Sequence, residues 1–210
     1  MKEIIVLKST HPDEYPDLAI ECRVIPNDEI GAYLDTIPEE KKFYAYKTGK
    51  VAARFGKPGE EVKTTLKTVV DGREYILSEE EDVVREREIK AFNDEVTTVP
   101  DIVVTNISST SNEEYIVKYE KFLKTYTPEP AVDENGKPYT VFAPTYDSRL
   151  LTQVDENVII MTAWGAPAIC LAGSYIVTYD TAINDYNTLE QGAYLSTYTV
   201  DESPKTLKKQ

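Results

Sequence analysis

Apolar residues along this chain recur mostly in short alternating runs, the period of a β-strand rather than of a helix. The pattern predicts strands over 3–8, 18–25, 43–47, 51–55, 62–70, 73–77, 101–105, 139–143, 157–163, 167–171, 174–179 and 194–200. Asp71-Gly72 between the fifth and sixth of these is a hairpin signal, since both turn residues accept positive φ. Helical signals are few. Ser78-Glu79-Glu80-Glu81 has the form of a capping box. The run to Lys90 then carries acids early and Arg85, Arg87 and Lys90 late, as a helix dipole favours, so a surface helix is expected over 78–90. Short helical pieces are expected over 28–35 and 120–125.

Tyrosine is abundant, with 15 residues against 5 Phe and 1 Trp, and with threonine it favours pleated, half-buried surfaces. The expected fold class is therefore α+β and strand-dominated. The segment Thr127 to Pro138 holds three prolines and an Asn135-Gly136 turn, and reads as a linker. The expected organisation is an N-terminal β-rich unit over 1–127, a linker over 128–138, a C-terminal β-rich unit over 139–200 and a frayed polar tail over 201–210.

The two units look related. Phe122-Leu123-Lys124-Thr125-Tyr126-Thr127 returns as Tyr194-Leu195-Ser196-Thr197-Tyr198-Thr199, with four of six positions identical. Upstream, Asp101-Ile102-Val103-Val104-Thr105 parallels Tyr175-Ile176-Val177-Thr178-Tyr179, and an acidic-Tyr pair, Glu114-Tyr115 or Asp185-Tyr186, stands between the blocks as a turn. An internal duplication of 41–127 and 137–199 is the expectation. Gly173 ahead of Ser174-Tyr175 permits a backbone position that other residues resist. Alternation beyond it puts Ile176 and Thr178 on one face and Tyr175, Val177 and Tyr179 on the other.

The order of these blocks resembles the small phage and prophage proteins of the PGDYG family, which carry a Lys-Lys-Pro opening strand, a Thr-x-x-Gly turn, a Pro-Gly-Asp-Tyr motif and a closing Phe-x-x-Thr-Tyr-Glu. Phe122 to Tyr126 matches the closing motif, and Val99-Pro100-Asp101-Ile102 keeps the proline and aspartate without the glycine and tyrosine. In the second copy Lys137-Pro138 opens the unit, Thr162-Ala163-Trp164-Gly165 supplies the turn, and Gly173-Ser174-Tyr175 keeps glycine and tyrosine. The resemblance implies a phage or prophage origin and a small β-rich fold, and it carries no settled activity.

Charge and candidate chemistry narrow the function. A net charge of −14, from 23 Lys plus Arg against 37 Asp plus Glu, repels a phosphate backbone, so nucleic acid is not an expected partner. No apolar run reaches the ~18 residues of a membrane span, and the first residues lack a signal peptide's apolar core. A cytoplasmic location in the host cell is expected, with no membrane partner. Cys22 and Cys170 lie in apolar alternating runs and read as core thiols. His11 is the one histidine, beside a proline in a loop-like segment. No zinc or calcium spacing and no nucleotide-cradling loop is present, so neither metal nor cofactor is expected and no catalytic residue is assigned. Gly56-Lys57-Pro58-Gly59 reads as a turn.

The remaining candidates are aromatic. Trp164, Tyr175, Tyr179, Tyr186 and Tyr194 are the expected binding residues, on the premise that they line a cleft and stack on a ring or grip a loop. The expected function is a non-enzymatic phage or prophage accessory protein engaging a host protein or a small molecule. A self-assembling virion or decoration protein, and an enzyme using carboxylates and tyrosines, are the alternatives.

Overall fold

A computed structural model describes residues 3–8, 13–70, 73–90, 95–107, 114–163 and 165–202. The chain opens with β1 (Ile4–Lys8), β2 (Ala19–Ile25), α1 (Ile30–Asp35) and β3 (Lys42–Lys47). β4 (Val51–Phe55) leads to two antiparallel ribbons, β5 (Glu61–Val70) with β6 (Arg73–Val83) and β7 (Glu86–Lys90) with β8 (Val96–Pro100). Next come β9 (Ile102–Asn106), β10 (Glu114–Val117), α2 (Tyr119–Thr125), β11 (Tyr126–Val132) and β12 (Pro138–Pro144). β13 (Arg149–Gln153), β14 (Val158–Met161), β15 (Pro167–Cys170) and β16 (Tyr175–Asp180) follow. The described chain ends with β17 (Asp185–Leu189), α3 (Gln191–Thr197) and β18 (Tyr198–Val200). The protein is strand-dominated with short helices, the class that its alternation predicts.

Two compact units divide it: a central unit, Thr48–Thr145, and a terminal unit, Met1–Lys47 with Tyr146–Gln210. In the central unit five antiparallel strands run β10-β9-β4-β12-β11. On one face Phe122 of α2 packs with Val51, Ile102, Val104 and Tyr126, while on the other Val103 packs with Val62 and Val84. In the terminal unit five antiparallel strands run β17-β16-β13-β3-β18. On one face Tyr194 of α3 packs with Ala45, Leu151, Tyr175 and Val177. On the other, Ile176 and Tyr186 join Ile25, Ile30, Ile160 and Cys170 from α1 and a second sheet, β1-β2-β14-β15. Ile176 and Val177 thus face opposite sides, as alternation requires.

The two five-stranded sheets share more than strand order. Each has a hairpin at one edge, a seven-residue helix, and a strand at the far edge that begins on a tyrosine. Tyr126 (φ −131°, ψ 143°) donates its N–H to the Phe122 carbonyl, and Tyr198 (φ −123°, ψ 155°) donates its own to the Tyr194 carbonyl. Tyr126 faces Pro144 and Tyr198 faces Lys47; Ile102 faces Val117 and Tyr175 faces Leu189. This register aligns Ile102 with Tyr175 and Glu114 with Tyr186, one residue away from the alignment that sequence similarity suggests. Glu114 and Asp185, expected in turns, begin β10 and β17.

The fourth strand of each sheet is exchanged. β3 immediately precedes β4 in the chain, yet it pairs with β13 and β18 of the terminal unit. β12 immediately precedes β13, yet it pairs with β4 and β11 of the central unit. The organisation therefore differs from a division at 128–138. That segment is no linker: β11 and β12 form a hairpin, closed where Asp133 accepts the N–H groups of Asn135 and Lys137. Pro128 and Pro130 are tolerated because β11 is an edge strand, where a missing N–H costs no ladder bond.

Two further expectations are corrected. Residues 78–83 and 86–90 are strand, with Ser78 opposite Leu66 and Glu81 opposite Lys63 across the β5–β6 ribbon. A capping box is worth about 1 kcal/mol, which a long ribbon anchored by Val62 and Val84 outweighs. The segment 194–200 is strand only from Tyr198, because Glu190 caps α3 by accepting the Ala193 N–H at 2.9 Å. The expected helices at 28–35 and 120–125 are present, the first as a 3₁₀ turn running into α1. The β5–β6 pairing is as expected, while Asp71-Gly72 itself lies outside the described residues.

Candidate binding surfaces

The expected aromatic site is dispersed through the terminal unit. Tyr175 is 5% exposed on β16, where Tyr194 lies 4.5 Å from it and Phe43 5.7 Å, ring centre to ring centre. Tyr186 is 2% exposed and faces the other side of the sheet, against α1. Burial raises the pKa of both phenols, helped by Tyr194 at Tyr175 and by Asp35 at Tyr186. Tyr175 and Tyr194 come together as packing, Tyr194 partly buried, and Tyr179 is exposed at 37%. Trp164 and His11 lie outside the described residues. The β14–β15 hairpin is closed by Thr162, whose N–H and Oγ1 both donate to the Ala166 carbonyl.

The terminal unit also carries two aromatic contacts that sequence reasoning did not anticipate. The Arg149 guanidinium stands 5.2 Å over the Tyr179 ring and pairs with Asp147. The Tyr46 and Tyr146 rings lie 4.6 Å apart, tilted by 48°, and Tyr146 donates its hydroxyl to Asp201 at 2.5 Å. That bond raises the Tyr146 pKa. Tyrosine and arginine are the residues most enriched at interface hot spots.

The central unit carries a second aromatic surface. Phe55 ends β4 with 59% of its surface exposed and stacks on Tyr119 of α2 at 6.0 Å, the planes inclined by 19°. Leu123, one helical turn on, is 58% exposed. Nearby, Arg54 donates to both carboxylate oxygens of Glu60 and lies 3.8 Å from Glu114. Arg54 and the Lys57 N–H hold the Glu60 carboxyl down at about 2. A shallow open groove of about 400 Å³ runs along the β11–β12 hairpin past Pro128, Pro130 and Tyr139.

Both cysteines are free and fully buried, as their apolar runs suggest. Burial pushes the Cys170 thiol up to about 12 and raises Cys22 as well, so neither is a nucleophile at neutral pH. An unfolded thiol ionises near 9 whereas folded Cys170 stays protonated to about 12, so it opposes folding increasingly between those values. Stability should fall by about 1.4 kcal/mol per pH unit across that window from Cys170 alone. Urea titrations from pH 8 to 11.5 should show a shallower decline in Cys170→Ala. An identical slope in the two proteins would contradict this assignment.

Among the described residues no group of three His, Cys, Asp or Glu side chains is placed to hold a metal, and no helix is long and apolar enough to cross a membrane. Comparison with known families, curated proteins and solved structures returns no significant match.

Proposed function

We propose that this chain is a non-enzymatic accessory binding protein of phage or prophage origin, built from two copies of one small unit and engaging a host protein or small molecule through exposed aromatic faces. The observation that carries the reading is the aromatic surface left over after the cores are filled. Phe55, Tyr146 and Tyr179 are exposed although each sits beside a packed sheet. Exposed rings held by neighbours bind at low entropic cost, because little rotamer freedom remains to be lost. The shared strand order, helix placement and register of the two sheets support the duplication, and the PGDYG-like motifs support the origin. An acidic surface favours a dispersed protein over one that assembles with itself.

Gel filtration with light scattering over a hundredfold concentration range tests this directly. The expected result is a single species at the chain mass of 23.7 kDa. Concentration-dependent growth into large closed particles would overturn the accessory reading in favour of a virion component.

A further inference from the structure

We infer that β1 is a strand-addition site, where an extended apolar segment of a partner protein, flanked by basic residues, joins the sheet β1-β2-β14-β15 at its open edge. The inference rests on the binding-protein reading above and adds a surface distinct from the aromatic ones. Val24 donates its N–H to the Glu3 carbonyl at 2.9 Å, so Glu3, Ile5 and Leu7 turn their backbone groups toward β2. Opposite Ile4, Arg23 gives its N–H to the Asn157 carbonyl, on the far side of β2. The N–H and C=O groups of Ile4, Val6 and Lys8 therefore point away from β2, along an edge that no described strand covers. Among ligands, another extended backbone is what matches donors and acceptors in this alternation. The side chains agree. Four of the five residues of β1 are apolar, and Ile4, Ile5 and Val6 all stand exposed, Ile4 at 61%. A strand laid beside them would cover Ile4 and Val6 on one face. On the other it would extend, past Ile5 and Leu7, the face of buried Cys22 and Ile20.

The other edges of the four- and five-stranded sheets are blocked, short or covered. On β11 the Thr145 N–H meets the Thr125 carbonyl and the Asp133 N–H meets the Lys137 carbonyl, so Tyr126, Pro128, Pro130 and Val132 face outward. Both prolines lack an N–H and Tyr126 donates its own to Phe122, which leaves Val132 as the one outward donor of β11. β18 has three residues, and Tyr198 likewise donates to Tyr194. β10 lies against β5, whose Thr64 Oγ1 donates to the Glu114 carbonyl at 3.3 Å, and β15 and β17 lie against each other. A second copy of the chain is a poor occupant for β1. Two-fold pairing about the outward residue Val6 would set Lys8 against Ile4 and bring together two chains of −14 each. A run of valine and threonine ending in lysines matches the apolar strand and is drawn by the acidic field.

The test uses the full chain and two synthetic peptides, one alternating valine and threonine with lysines at both ends, the other with glutamates in place of the lysines. Amide hydrogen exchange by NMR is the readout. In the free chain the Ile4, Val6 and Lys8 amides should exchange faster than those of Ile5 and Leu7. The lysine-flanked peptide should slow the first three at least tenfold, and the glutamate-flanked one should bind at least tenfold more weakly. Val6→Pro removes an outward donor and leaves the β2 ladder intact, the placement that Pro128 and Pro130 have in β11, so it should lose binding at least tenfold. Ile4→Thr/Val6→Thr keeps every backbone donor and removes apolar area, and should weaken binding severalfold. The proposal fails if the lysine-flanked peptide does not bind, if it protects β11 or β18 instead, or if the glutamate-flanked peptide or Val6→Pro binds equally. A dimer that Val6→Pro dissociates would overturn the choice of occupant. A chain that stays monomeric but ignores the peptide sinks this proposal alone, whereas growth into large particles sinks the accessory reading.

Discussion

Ala45→Asp should unfold the sheet of the terminal unit, with a loss of about 4 kcal/mol or more, although residue 45 directly precedes the strands of the central unit. Ala45 is fully buried on β3, packed with Leu151, Tyr175 and Val177 and opposite Arg149 and Val200. A carboxylate there enters an apolar cluster whose facing cation, Arg149, already pairs with Asp147, and burying a charge is among the costliest single changes. The diagnostic is where the damage falls. Amide hydrogen exchange should accelerate in β13, β16 and β18 more than in β4 and β9. Val141, 3% exposed on β12, is the mirror case, and Val141→Asp should strike β4 and β11 instead. If Ala45→Asp deprotects β4 and β9 first, the strands are not exchanged as described.

Gly56→Ala should cost about 2 kcal/mol, and the loss should couple to Val84. A methyl at position 56 would lie 2.6 and 2.7 Å from the two Val84 methyls and 3.1 Å from the Asp101 carbonyl oxygen. That carbonyl cannot retreat freely, because it accepts the Gly56 N–H at 2.9 Å. Nor can its residue, since the buried Asp101 carboxylate receives Arg87 Nε at 2.7 Å and the Arg85 N–H at 3.2 Å. Val84 is itself 2% exposed, so overpacking has no outlet. In a double-mutant cycle, Val84→Ala should relieve the clash, leaving Gly56→Ala/Val84→Ala at least 1 kcal/mol more stable than the sum of the single changes. Strict additivity in thermal or urea unfolding would show that residue 56 does not meet Val84.

The two results bear on different links. The first tests topology, the second a close approach that the turn reading of Gly56 to Gly59 does not contain. That turn is present, with Gly59 at φ +82°, but the reason for glycine at 56 is a neighbour 28 residues away.

The sequence by itself determined the local preferences. Alternation and short apolar runs located β1 to β6, β9, β12 and β14 to β16, because a half-buried strand shows a two-residue period and one buried on both faces a short continuous apolar run. The opposite facing of Ile176 and Val177 and the burial of both cysteines follow from the same local rules. The repeated aromatic-Leu-x-Thr-Tyr-Thr block was legible as well, though not its secondary structure. Tyr194 to Thr197 have strand-like composition, and became helix because Glu190 caps them and Tyr194 packs onto Tyr175.

Tertiary structure decided the pairing. Pro128 and Pro130 read as linker until β12 supplied a partner on the side where they need no N–H. The capping box at Ser78 yielded to β5. Which sheet receives β3 and β12 depends on partners some 100 residues distant, and period-two patterning names a strand's faces without naming its neighbours. The same holds for the surfaces. Tyr175, Tyr186 and Tyr194 carry the same local signal as Tyr179, and only packing separates the two that fill cores, and the partly buried Tyr194, from exposed Tyr179. Phe55 and Tyr119 are 64 residues apart in the chain, and they form a face only because β4 and α2 lie side by side in the central unit.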